Sequence, residues 1–307
     1  MKKDFIAVKD LSAQEIESIF SLAKELKKDR LKYGDALKGK SVALIFQKPS
    51  NRTRVSFEVG VFQLGGHTIY LKPEDISLGV RESIKDVAKT LSRYLDAIVV
   101  RTFAHDIVLE LAKYSSIPVI NGLSDLLHPC QALSDVFTIK EKVAKLNNVT
   151  LTYVGDGNNV CHSLLYTAVK IGMNMRIATP KRYVPNKEVL ASALDIAKKT
   201  GSKISLFNDP EEAVKDSDVV YTGVWASMGK EKEVWKRKMI FGKYQINKKL
   251  LSLAKPSVLV MHCLPAHRGQ EITDDVMDSP NSIVFDQAEN RLHVQKAILL
   301  MLLGGNK

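Results

Sequence analysis

The stretch HCLPAHRG (262–269) packs a thiol, two imidazoles and a guanidinium into eight positions directly after the apolar run SVLVM. Such a set could bind a metal, pair a nucleophile with its base, or cradle an anionic substrate. HPCQ (128–131) adds His128, Cys130 and Gln131. Neither HExxH nor paired CxxC spacing occurs, which argues against a metal. Cys130 and Cys161 read as small buried hydrophobes, the usual fate of an isolated cysteine. His262 and His267 read equally well as hydrogen-bonded loop structure and as chemistry. Cys263 leaves a strand close to Arg268, and a nearby cation favours the reactive thiolate.

SNRTR (50–54) follows an apolar run and opens a helical pattern. Backbone N–H groups at a helix N-terminus, two hydroxyls and guanidinium forks would form a phosphate cradle. The nucleotide pattern GxxxxGK[ST] is absent. GDGNNV (155–160) is a partial dinucleotide fingerprint without its third glycine. No acidic residue follows the next strand, RIATP, so a nicotinamide cofactor is not expected.

Short β-rich runs alternating with amphipathic helices must position these clusters. The expected strands are SVALIF (41–46), HTIYL (67–71), AIVVR (97–101), IPVIN (117–121), TLTYVG (150–155), RIATP (176–180), KISLFN (203–208), DVVYTG (218–223), SVLVMHC (257–263) and SIVFDQ (282–287). Ser12 to Glu15 is a capping box before the first helix, and RLHVQKAILLMLL forms the last. The expected fold is α/β: two doubly wound parallel-sheet domains, with the active site in the cleft between them. The polar clusters fall at strand ends, where such sheets bind ligands. The expected boundaries are 1–146 with a returning C-terminal helix, 290–307, and 147–289.

At 307 residues the chain exceeds one typical core. Three cysteines without CxxC spacing and no signal-peptide pattern predict a cytoplasmic protein, and no apolar run is long enough for a membrane span. The net charge of +11 comes from 34 lysines and 11 arginines. The lysines read as solvated helix faces, and no stretch interleaves aromatics with arginines, so nucleic acid is not an expected partner. Arg52, Arg54, Arg101, Arg268 and Arg291 lie at or beside expected strand exits, suiting bidentate recognition of phosphate or carboxylate.

Together S-x-R-T-R, HPCQ, SMG (227–229) and HCLPAHRG, in this order and spacing over essentially the whole chain, resemble the transcarbamoylase family, and within it the ornithine branch. The resemblance implies transfer of the carbamoyl group of carbamoyl phosphate to the δ-amine of L-ornithine, giving L-citrulline and phosphate, with no cofactor or metal. It implies that Ser50, Asn51, Arg52 and Thr53 hold the phosphate. Arg101, His128 and Gln131 would bind the carbamoyl end, with Arg291 closing from the last cluster. Asn159, Gly223, Ser227 and Met228 fall at ornithine-binding positions, and Cys263 and Leu264 meet the reacting ends of both substrates. Arg52, Arg101, His128 and Cys263 would carry the chemistry. The family assembles as a homotrimer or a multiple of trimers, and the loop DISLGVRES, with Ser77, would reach a neighbouring subunit's site. Two positions depart from the pattern. Asn51 replaces the usual Thr or Gly, and Gly223 replaces the aspartate that pairs with ornithine's α-ammonium. The second departure leaves a transcarbamoylase acting on a different amine as the alternative.

Overall fold

The structure is a computed structural model describing residues 3–226 and 233–304. The chain divides into two units, Met1–Ser134 with Glu289–Lys307, and Asp135–Ala288. It passes between them inside two helices, Pro129–Lys142 and Val284–Leu303.

The first unit holds β1 (Ser41–Phe46), β2 (His67–Leu71), β3 (Ala97–Arg101) and β4 (Val119–Leu123) in the order β2-β1-β3-β4, all parallel. Strands β1 and β3 are buried along nearly their whole length, as expected for a sheet covered by helices on both faces. Ala43, Ile45, Ile98 and Val100 pack in a core with Val87, Val108 and Leu111 from the crossover helices. The order reverses between β1 and β3, so the crevice beyond their carboxyl ends is the topological switch point.

The second unit holds β5 (Thr150–Val154), β6 (Asn174–Ala178), β7 (Ile204–Phe207), β8 (Val219–Thr222) and β9 (Leu259–His262) in the order β7-β6-β5-β8-β9, again all parallel. Here the reversal falls between β5 and β8. Both units are therefore doubly wound α/β sheets.

One element differs from expectation. SIVFDQ forms no strand: Ser282 makes a single bridge to Val260, Ile283 donates to the Val260 carbonyl at 3.0 Å, and the chain turns helical at Val284. Beyond its first four residues the segment is rich in helix formers, and Gln287, Arg291 and Val294 are buried at helical spacing. Arg291 thus sits within a twenty-residue helix rather than beside a strand exit.

Candidate active site

In the first unit, Ser50 caps the helix Asn51–Gln63, its hydroxyl accepting the Thr53 N–H at 3.2 Å. Losing such a cap costs about 1 kcal/mol. The cap fixes the first turn directly after β1, aiming its N–H groups and the positive end of its dipole at the switch point. Asn51 is exposed, Arg52 half-buried and Thr53 fully buried on that turn. Register places Phe46 opposite Arg101, and Gln47 donates to the Arg101 carbonyl at 2.8 Å. Arg101 therefore ends β3 beside the cradle, buried. Arg291 donates through Nη2 to the Thr53 hydroxyl at 2.8 Å, which brings the C-terminal helix to the same turn.

His128 directly precedes the helix Pro129–Lys142, and Gln131 lies in that helix's first turn; both are buried. Burial, reinforced by the charges of Arg291 and Arg101, holds the His128 imidazole well below its usual range. It is neutral at neutral pH, one nitrogen a donor and the other an acceptor. A neutral donor flanked by guanidiniums can polarise a carbonyl oxygen without giving up a proton. Cys130 is fully buried, its thiol pushed up to about 12 by burial, and it donates to the Asn121 carbonyl. It packs and does not react.

In the second unit, adjacent strands in register end at Val154, Thr222 and His262. The next residues, Gly155, Gly223 and Cys263, are consequently neighbours. A Cβ on Gly223 would lie 3.8 Å from the Cys263 sulfur and 3.5 Å from the Tyr153 hydroxyl, both ordinary contacts. Tyr153 is fully buried, and burial raises its hydroxyl well above the usual range, so it stays protonated. Asn158 caps the helix Asn159–Lys170 by accepting the Val160 N–H at 3.0 Å, leaving Asn159 as the first helical residue. Gly157 explains the partial dinucleotide motif. A Cβ there would meet the Tyr183 carbonyl oxygen at 2.6 Å and the Pro185 nitrogen at 2.5 Å, so the glycine admits the 179–185 segment rather than a pyrophosphate.

HCLPAHRG is organised by a residue that its own motif does not contain. Glu271, fully buried, accepts the His267 N–H at 2.6 Å and lies 3.1 Å from His262 Nε2. His262 Nδ1 accepts the Leu264 N–H at 2.8 Å, so Nε2 carries the proton and donates to Glu271. These bonds hold Leu264 in a left-handed conformation (φ 55°) beside half-buried Cys263. Such strain recurs at working sites.

Two arginines expected to bind anions are engaged by carboxylates of this chain. Arg268 forks onto Asp278 at 2.6 and 2.8 Å and reaches Asp274 at 3.0 Å. Arg54 pairs with Glu58 at 2.9 Å and stacks on Tyr70. The Arg268 fork is taken up by two carboxylates, so it is not a cation available to Cys263, while Arg54 engages Glu58 through Nε alone. Ser77 ends a one-turn helix in a left-handed conformation (φ 41°), its hydroxyl bonded to the Pro73 carbonyl. Ser227 and Met228 lie outside the described residues. Among the described residues no three His, Cys, Asp or Glu side chains come together as a metal site, and no helix is long and apolar enough to cross a membrane.

Both switch points thus carry polar clusters on doubly wound sheets, the architecture of α/β proteins that handle small polar ligands at strand ends. Residues 3–141 match the family model described as aspartate/ornithine carbamoyltransferase, carbamoyl-P binding domain, and residues 147–302 match its Asp/Orn binding domain. The chain belongs to the aspartate/ornithine carbamoyltransferase family. It is 52% identical to an ornithine carbamoyltransferase of Thermococcus kodakarensis, over 99% of this chain and 98% of that one. An ornithine carbamoyltransferase of Oceanobacillus iheyensis is 53% identical over 98% of this chain and 94% of its own. The solved structure of the ornithine carbamoyltransferase from Pyrococcus furiosus superposes with a TM-score of 0.96 at 52% identity, covering 99% of this chain and 98% of that one.

Proposed function

We propose that the protein transfers the carbamoyl group of carbamoyl phosphate to the δ-amine of L-ornithine, releasing L-citrulline and phosphate. The carrying observation is the first unit's switch point, where Arg101, neutral His128 and the Arg291–Thr53 pair share one neighbourhood with a capped helix N-terminus. Residues 1–146 with 290–307 form the carbamoyl phosphate domain, and 147–289 the ornithine domain.

Ser50, Asn51, Arg52 and Thr53 hold the phosphate, together with Arg291. Arg101, His128 and Gln131 take the carbamoyl end and polarise its carbonyl. The unprotonated δ-amine attacks the carbamoyl carbon and the carbon–oxygen bond to phosphate breaks. Its electron pair leaves on the phosphate oxygen, whose charge Arg52 and Arg101 stabilise, and the proton lost by the attacking nitrogen passes to the departing phosphate. Asn159, Ser227 and Met228 bind ornithine. Cys263 and Leu264 line the meeting point, with Cys263 orienting the amine and assisting its deprotonation. The polar bonds among His262, Glu271 and Leu264 support that placement.

The assembly we propose is a cytoplasmic homotrimer or a multiple of trimers, with the Ser77 loop reaching a neighbouring copy. Val55, Val59 and Phe62 support self-association, since they leave an exposed apolar stripe at helical spacing along Asn51–Gln63. A second reading, a transcarbamoylase for a different amine, is favoured by Gly223, which supplies no carboxylate to an α-ammonium. Saturation curves with carbamoyl phosphate and a panel of amino acids and diamines test both readings. The proposal expects ornithine to give the highest kcat/KM, and another amine exceeding it tenfold would select the second.

A further inference from the structure

Arg237 takes no part in the roles assigned above, yet it is among the most buried cations of the second unit, 3% exposed. It lies on the helix Val234–Phe241, whose exposed positions include Trp235 and Met239. One guanidinium nitrogen, Nη1, donates to Asp156 Oδ2 at 2.9 Å and to the Trp225 carbonyl at 2.6 Å. Nε donates to Glu233 at 2.8 Å, one turn earlier. The plane lies 4.8 Å from the centre of the Tyr183 ring, and Tyr183 and Trp225 both pack on Phe241.

The partners matter because of what lies next to them. Asp156 belongs to the turn after β5, and its carbonyl accepts the N–H of Asn158, the residue that caps the helix beginning at Asn159. Gly157 of the same turn donates to the Tyr183 carbonyl at 2.8 Å. Trp225 lies two residues beyond Gly223, on the chain leaving β8. Nη1 alone therefore ties together the two strand exits that flank the second unit's switch point, while Nε, held by Glu233, fixes the plane of the guanidinium. A buried ion pair is a poor source of net stability, whereas losing one partner leaves the other charge uncompensated. A planar, multi-donor cation fixes directions that an ammonium cannot.

We infer that Arg237 is a positioning residue for the amine substrate: its fork sets Asp156 and Trp225, and through them Asn159 and the Gly223 edge of the site. The inference rests on the transcarbamoylase reading. The bonds of Arg237 go to Asp156, Trp225 and Glu233 in the second unit, so its removal acts on recognition of the amine and leaves recognition of carbamoyl phosphate intact.

The test is steady-state kinetics of citrulline formation for wild type, Arg237→Gln, Arg237→Lys and Asp156→Asn, with melting temperatures for each. Arg237→Gln is expected to raise KM for ornithine tenfold or more while KM for carbamoyl phosphate stays within twofold. Arg237→Lys, which keeps a charge for Asp156 but loses the fork, falls between Gln and wild type. In the double variant Arg237→Gln/Asp156→Asn the two effects are not additive. A purely structural role predicts loss of active protein with both KM values unchanged, and that outcome overturns the inference. So does an unchanged ornithine KM in any folded Arg237 variant. If Arg237→Gln does not fold, the Arg237→Lys and Asp156→Asn constants decide by the same criterion. Wild-type protein that transfers the carbamoyl group neither to ornithine nor to any amine of the panel refutes the transcarbamoylase reading, and the inference with it; active wild type with unmoved constants refutes the inference alone.

Discussion

Replacing Gly223 by aspartate restores a carboxylate to the amine side of the proposed site, and the structure says what that carboxylate would meet. The Cβ has ordinary contacts with the Tyr153 hydroxyl (3.5 Å) and the Cys263 sulfur (3.8 Å), and the backbone is not in the left-handed region, so the side chain enters without backbone strain. Tyr153 stays protonated, and its hydroxyl, which donates weakly to Asn158 Oδ1 at 3.4 Å, would have to leave that acceptor to donate to the new group. Two buried carboxylates of this unit are already occupied, Asp156 by Arg237 and Asp135 by Tyr221 and Gln287. Burying one more ionised carboxylate without substrate costs more than the ~1–3 kcal/mol of an unpaired neutral polar group, less whatever Tyr153 returns. For units of this size that lowers Tm by about 2–4 °C per kcal/mol. With ornithine bound, a charge-assisted bond to the α-ammonium contributes about 1.5–3 kcal/mol, which is roughly a tenfold to hundredfold change in affinity. Gly223→Asp should therefore lower KM for ornithine at least tenfold, leave KM for carbamoyl phosphate within twofold, and melt a few degrees earlier. The assay is citrulline production with each substrate varied in turn, alongside thermal melts. A folded variant with an unchanged ornithine KM would mean that another group already neutralises the ammonium. Improved use of a different amine would show that ornithine is not the substrate.

Arg52→Ala should raise KM for carbamoyl phosphate about tenfold or more, the worth of one charge-assisted bond to a dianion, with little change in Tm; wild-type activity at low carbamoyl phosphate would remove Arg52 from the cradle. Turnover should climb from mildly acidic to alkaline pH, because the attacking amine must be unprotonated, and Cys263→Ala should lower kcat strongly while sparing the carbamoyl phosphate KM. A flat profile with unaltered turnover in the alanine variant excludes Cys263 from the chemistry. Lys296, fully buried with Nζ bonded to the Arg30 carbonyl and Gln63, has its ammonium lowered to about 8 by burial and then by Arg30. Below pH 8 both states hold the proton and the folded state bears the full penalty. Between pH 8 and the ordinary lysine value near 10.5 only the unfolded state keeps it, so stability rises with pH across that window. Stability of wild type relative to Lys296→Met should therefore grow by up to about 3 kcal/mol between those limits, read from denaturant melts, and a pH-independent difference would refute the assignment.

What the sequence made legible was local. The Ser12–Glu15 capping box forms as read, with bonds of 2.7 and 3.1 Å. SNRTR opens a helix directly after β1 because Ser50 can cap it, and that is a property of five adjacent residues. The burial of Cys130 and Cys161 also followed from residue type alone. What escaped depended on partners distant in sequence or on competition. Nothing in HCLPAHRG announces that Glu271 will anchor it, although an acid four residues past a histidine is a signal worth weighing. Arg268 looked like an anion ligand until Asp274 and Asp278 arrived on the following turn. SIVFDQ carries β-branched residues, but a single bridge to Val260 cannot hold a strand against a twenty-residue helix. The Arg237–Asp156 pair spans 81 positions, and no short pattern encodes it.

The most direct measurement supplies purified protein with carbamoyl phosphate labelled at the carbonyl carbon and with L-ornithine, and follows citrulline and phosphate together. Labelled citrulline and phosphate should appear in equal amounts, both dependent on ornithine and both greatly reduced in Arg101→Ala at subsaturating carbamoyl phosphate. Phosphate released without citrulline, or label delivered preferentially to another amine, would contradict carbamoyl transfer to ornithine.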